Sequence, residues 1–117
     1  AGAIELLSEH PEINVIVGFN EWTTLGVGYA VEQLGLADEV AAVGFDSNVV
    51  SIGMLETGEM DALVVQNPFA IGYLGVKSAY LLLSGTEIAQ STLTTATVVT
   101  KDNMFDEQNQ RILFRFD

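Results

Sequence analysis

The sequence predicts an α/β fold, a parallel sheet flanked by helices, on three observations. A short apolar run, a polar cap and a helical pattern follow one another three times, the connections are short, and each helical pattern closes near a glycine. Strands that alternate with helices through short loops pair in parallel, and right-handed crossovers lay the helices on the sheet.

Each element has its own signal. The opening Ala1-Gly2-Ala3-Ile4-Glu5-Leu6-Leu7 reads as the inside of a helix with no capping residue before it, so chain upstream of Ala1 is expected. Pro11 ends that helix, because proline disfavours helical geometry in the residue before it. Ile13 to Phe19 is the first strand, apolar and β-branched as strands buried on both faces are, and Asn20-Glu21 starts a helix. Val27, Ala30, Val31 and Leu34 recur at helical spacing up to Gly35, which suits the residue after a helix end. Val40 to Phe45 is the second strand; Asp46-Ser47-Asn48 follows, and Val49 to Thr57 is a helix closed by Gly58. Ala62 to Val65 is the third strand, after which Asn67 caps and Pro68 opens a helix that reaches Leu83 and ends at Gly85. Ser91 to Thr100, rich in threonine and valine, is strand-like. The tail carries Phe105, Leu113, Phe114 and Phe116, and its Met104 to Ile112 stretch does not decide between helix and loop.

Composition narrows the function. Of 117 residues, 49% are hydrophobic and 17% charged, the balance of a packed globular chain. The net charge of −12 would repel a nucleic-acid backbone, so nucleic acid is excluded as a partner of this segment. The lack of cysteine removes thiol chemistry and thiolate metal sites. The single histidine, His10, sits in a His-Pro turn, where a solvated loop residue outweighs a general base. Gly26-Val27-Gly28 lies inside an expected helix without the third glycine of a dinucleotide fingerprint. Glu56, Glu59 and Asp61 follow a helix end and read as an exposed acidic face. Catalysis, a resident cofactor and a metal site are therefore not expected.

In open α/β sheets, ligands bind beyond the carboxyl ends of the strands. Those ends carry Asn20, Asp46 and Gln66. An amide offers a donor and an acceptor together and a carboxylate accepts from two hydroxyls, so the trio suits a neutral polyhydroxylated ligand. Helix capping competes with that reading at Asn20 and Asp46. Trp22, in the first turn of the helix, is either an aromatic platform for a sugar face or a residue packed on a neighbour.

Four blocks carry a resemblance: His10-Pro11-Glu12-Ile13-Asn14; Gly18-Phe19-Asn20-Glu21 with Leu25-Gly26; Val43-Gly44-Phe45-Asp46; and Gln66-Asn67-Pro68 with Ile71-Gly72. Together they resemble the ribose- and galactose-binding branch of type I periplasmic binding proteins, over about Ala1 to Thr100. The resemblance implies the two-lobed fold of that family, here incomplete because the N-terminal lobe is missing, with Asn20, Asp46 and Gln66 hydrogen-bonding ligand hydroxyls. It implies residues 1–66 as the second part of the C-terminal lobe, 67–93 as a segment packing on the missing lobe, and 94–117 as a return strand and tail. The helix from Phe69 to Leu83, apolar nearly all round, is then covered by that lobe, and the isolated chain is expected to self-associate. Two departures stand out: Glu21 where the family commonly has aspartate, and Trp22 where it has a small or aliphatic residue.

The function implied is the substrate-binding component of an ABC-type sugar uptake system, held outside the cytoplasm and working with a membrane permease. Two rivals share the fold, the effector domain of a lactose-repressor-family regulator and a module feeding a sensor or chemoreceptor. The stretch from Ser47 to Gly58 and the Gln66-Asn67-Pro68 block resemble the transporter proteins more.

Overall fold

The computed structural model describes residues 2–114, so Phe116 lies outside the described residues. The order is α1 (Gly2–Glu9), β1 (Val15–Val17), α2 (Glu21–Leu34), β2 (Ala41–Phe45), α3 (Val49–Thr57), β3 (Ala62–Gln66), α4 (Pro68–Leu83), β4 (Ala96–Thr100) and α5 (Glu107–Leu113). The strands form one sheet in the order β1-β2-β3-β4. β1 and β2 pair in parallel with Val15 opposite Ala41, and β2 and β3 pair in parallel with Val43 opposite Ala62. The α/β fold and the parallel pairing are as the sequence predicts.

Residues up to Val65, together with those from Thr97 onward, form one compact unit, and Gln66–Ala96 form a second. The core of the first unit lies between sheet and helices. Ile16, Ala42, Leu63, Val65 and Val99 come from strands, Val27, Ala30 and Val31 from α2, and Ile52, Met54 and Leu55 from α3. Leu7 from α1, Val40 and Met60 from the segments leading into β2 and β3, and Met104 and Leu113 from the C-terminal segment complete the cluster. The α2 trio is the apolar stripe that the helical spacing marks, and α2 and α3 end as expected on left-handed glycines, Gly35 and Gly58.

Two expectations need correction, one open stretch is settled and one residue gains a further role. β1 is shorter than Ile13 to Phe19, because the chain leaves the sheet at Gly18 to enter α2. The threonine-rich stretch becomes strand only from Ala96, since the propensity of residues 91–95 has no ladder to join. The undecided Met104 to Ile112 stretch turns through Asn103 and Met104 into α5, with the Gln110 side chain donating to the Met104 carbonyl at 2.7 Å. Asp61 is exposed, as expected of the acidic face, and its Oδ2 also accepts the Ala42 N–H at 2.7 Å and closes the amino end of β2.

The second unit contrasts with the first. None of the residues of α4 is buried, and Phe69, Val76, Tyr80 and Leu83 stand in the open. The only aromatic contact α4 makes within itself among the described residues is the stacking of Phe69 on Tyr73, one turn apart, with the Lys77 ammonium above the Tyr73 ring. The described residues leave much of its apolar surface uncovered.

Candidate functional site

The site is built where parallel strands stop and helices begin. β1 and β2 run side by side, and each delivers its next polar residue beyond the carboxyl edge of the sheet. Asn20 caps α2: its Oδ1 accepts from the Thr23 N–H at 2.9 Å, and its own N–H donates to the Thr23 hydroxyl at 3.1 Å. This reciprocal pair satisfies two groups that a helix start leaves open. Capping occupies the oxygen of the Asn20 amide only. Its NH₂ has no hydrogen-bond partner among the described residues, so Asn20 keeps two donors for a ligand while it caps.

Asp46 is not a cap, contrary to the competing expectation. The cap of α3 is Asn48, whose Oδ1 accepts from the Ser51 N–H at 2.9 Å while its N–H donates to the Ser51 hydroxyl at 3.0 Å. Asp46 stands one residue beyond the end of β2 with φ 62, alone among the described non-glycine residues in having a positive φ. Its N–H donates to the Val64 carbonyl at 3.0 Å, which ties its backbone to β3. Among the described residues nothing hydrogen-bonds its carboxylate. Holding a residue with a Cβ in the left-handed region costs about 1–3 kcal/mol, and such positions cluster at functional sites. Aspartate tolerates the region better than most residues.

The two turns are joined. The Glu21 carboxylate accepts from the Asn48 side-chain amide at 2.8 Å, so the first turn of α2 is bonded to the cap of α3. Phe19 and Phe45, which flank the same turns, bring their rings to a centroid separation of 5.9 Å. Phe19 is 76% exposed, giving the polar edge an apolar neighbour of the kind a sugar ring can lie against. Spacing gave no reason to single out either phenylalanine; the clue available was that both precede the candidate polar residues directly. Trp22 is 78% exposed, so it is not packed on a neighbour within the described chain. Gln66 is the last residue of β3 and is exposed, and the cap of α4 is its neighbour Asn67, whose Oδ1 accepts from Ala70 N–H at 2.9 Å.

His10 pairs with Glu12 at 3.1 Å on an exposed turn, away from these strand ends. No group of three or more metal-ligating side chains occurs among the described residues. An uncommitted amide NH₂, a carboxylate without a partner among the described residues and exposed rings are groups suited to hydrogen-bonding hydroxyls and lying against a ring face.

Known proteins share this fold. Residues 3–87, well over half of the chain, match the family model described as periplasmic binding protein domain. The D-allose-binding periplasmic protein of Escherichia coli is 37% identical over 75 residues, which are 64% of this chain and 24% of that protein. The ribose import binding protein RbsB of Salmonella typhimurium is 32% identical over 83 residues, 71% of this chain and 28% of that one. A carbohydrate transporter solute-binding protein of Agrobacterium radiobacter, solved in complex with D-arabinose, superposes with a TM-score of 0.88 at 33% identity, over 96% of this chain and 38% of that chain. The chain thus spans about a quarter of the length of these curated relatives. With the matched family model, the relatives and the parallel α/β fold in agreement, the chain belongs to the type I periplasmic binding proteins, in their ribose- and galactose-binding branch.

Proposed function

We propose that this chain forms one wall of the cleft in the substrate-binding component of an ABC-type sugar uptake system. The ligand in this reading is a small monosaccharide or similar polyol. Asp46 carries the proposal. A carboxylate with no partner among the described residues, held at φ 62 beyond the end of β2, is a costly arrangement that a ligand with adjacent hydroxyls would repay. Asn20 would donate from its uncommitted NH₂, Gln66 would add an amide, and Phe19, with Trp22 as a further aromatic, would face the apolar side of the ring.

The relatives support this reading, since those named above bind D-allose, import ribose, or were solved with D-arabinose. By analogy with them, the whole protein would work outside the cytoplasm, hand its ligand to a membrane permease, and close a second lobe over the site. The lobe would also cover α4, whose exposed apolar residues would otherwise leave the isolated chain prone to self-association, detectable by sedimentation velocity. The role is that of a binder, with no catalytic step.

A thermal-shift screen of the whole protein against D-allose, D-ribose, D-arabinose and D-galactose tests the proposal. A ligand at 100 times its dissociation constant stabilises by about 2.7 kcal/mol, so a true ligand moves the melting temperature by several degrees. No shift with any monosaccharide at millimolar concentration would overturn it.

A further inference from the structure

We infer that Thr24 is a positioning residue for the ligand site: its buried side-chain hydroxyl takes the place of a missing strand beside Phe45 and thereby fixes the backbone that presents Asp46. The inference rests on the sugar-cleft reading above.

Hydrogen bonds along β2 alternate between its two neighbours. Ala41 N–H donates to the Asn14 carbonyl and the Val43 carbonyl accepts from Gly18 N–H, both on the β1 side. Asp61 N–H donates to the Ala42 carbonyl and Asp46 N–H to the Val64 carbonyl, both on the β3 side. By this alternation, Phe45 turns its N–H and carbonyl toward β1. β1 has ended at Val17, however, and past Gly18 the chain has turned away into α2. Two backbone groups would be left without a ladder partner one residue before Asp46.

Thr24 supplies the partner. Its Oγ1 accepts from Phe45 N–H at 2.9 Å and donates to the Phe45 carbonyl at 3.1 Å, so one hydroxyl satisfies both groups. Thr24 is 1% exposed, and the space it occupies is made by two glycines, Gly18 just past β1 and Gly44 in β2. A Cβ on Gly18 would come within 2.6 Å of the Thr24 backbone nitrogen, and one on Gly44 would overlap the Thr24 methyl and lie 2.9 Å from its hydroxyl oxygen. The first turn of α2 is thus seated against the ends of β1 and β2. Asp46 is held from both sides, through Phe45 by Thr24 and through its own N–H by Val64. The same helical turn carries Asn20 at its cap, so one buried hydroxyl sets α2, and Asn20 with it, against the strand that ends in Asp46. Nothing in the α2 sequence marks this role, since Thr24 sits among apolar positions of the buried face.

The test compares Thr24→Val, which keeps the shape and removes the hydroxyl, with Thr24→Ser, which keeps the hydroxyl. Calorimetric titration of the whole protein with D-allose, D-ribose and D-arabinose gives the affinity of the folded fraction, which urea melts fix independently. Thr24→Val is expected to weaken binding by about tenfold or more, as small misplacements of binding groups do. Thr24→Ser is expected to stay within about threefold of the parent, because the bonding group is retained. Backbone chemical shifts of Asp46 provide a readout that needs no sugar: they should leave the positive-φ range in Thr24→Val and keep it in Thr24→Ser. If Thr24→Val lowers the urea midpoint while Asp46 keeps its shifts and the folded fraction binds as before, Thr24 is only a core residue and the inference is overturned. If the parent binds none of the three sugars while the Asp46 shifts respond as expected, the sugar-cleft reading is what fails.

Discussion

Helix α3 buries Ser51, Ile52, Met54 and Leu55, whereas α4, with seven phenylalanine, tyrosine and leucine residues among its 16, buries none. Composition states what a helix needs; the chain around it decides whether the need is met. α3 packs against α2 and joins the buried cluster that the strands share, and Leu55 becomes inaccessible. α4 belongs to a separate unit formed by Gln66–Ala96, where residues 88–94 lie along one side of it and no residue of it becomes buried. The same difference runs through the site. The turns bearing Asn20 and Asp46 are fixed by hydrogen bonds within the first unit, while Gln66 opens the second.

Substitutions can break this comparison. Leu55→Ala in the 117-residue chain should cost about 2–5 kcal/mol in a urea melt, since it empties a fully covered position. A loss below 1 kcal/mol would mean that α3 is packed loosely and that the contrast with α4 is overstated. Phe69→Ala should cost less than about 0.5 kcal/mol in this chain, where the ring is 73% exposed. In the whole protein it should cost at least about 1.5 kcal/mol if a second lobe covers α4. Equal costs in the two contexts would remove the covering lobe from the account. Asn48→Ala should lower stability by about 1 kcal/mol for its lost cap. Asp46→Gly should leave stability unchanged or slightly raised, because glycine accepts φ 62 without strain and no cap is lost. The reverse order would assign the cap to Asp46 after all.

Much of this was legible in the residues. The three β-to-α units, the glycine helix ends and the Asn67-Pro68 start follow from local rules of spacing and capping, and such rules act over a few residues. The sequence Asp46-Ser47-Asn48 was harder, since all three residue types cap helices. What decides among them is Ser51, three residues after Asn48, which completes the reciprocal pair; that pattern is present in the sequence and was the available clue. Asp61 reads as one of several acidic residues near a helix end, and only the sheet register brings the Ala42 N–H to it. Thr24 is illegible for the same reason: its partner Phe45 lies 21 residues away, and no local preference reports that β1 stops one pair too soon. The exposure of α4 lies beyond any pattern in its own residues, because it depends on what chain is there to cover it.

Calorimetric titration of D-allose into the whole protein and its Asp46→Gly variant tests the central claim most directly. The account predicts a folded variant, at least as stable as the parent, whose affinity falls by about 1.5–3 kcal/mol for each charged hydrogen bond lost, or tenfold for every 1.4. An Asp46→Gly variant that binds the sugar as tightly as the parent would show that the strained carboxylate at the end of β2 serves no ligand, and the proposed site would have to be abandoned.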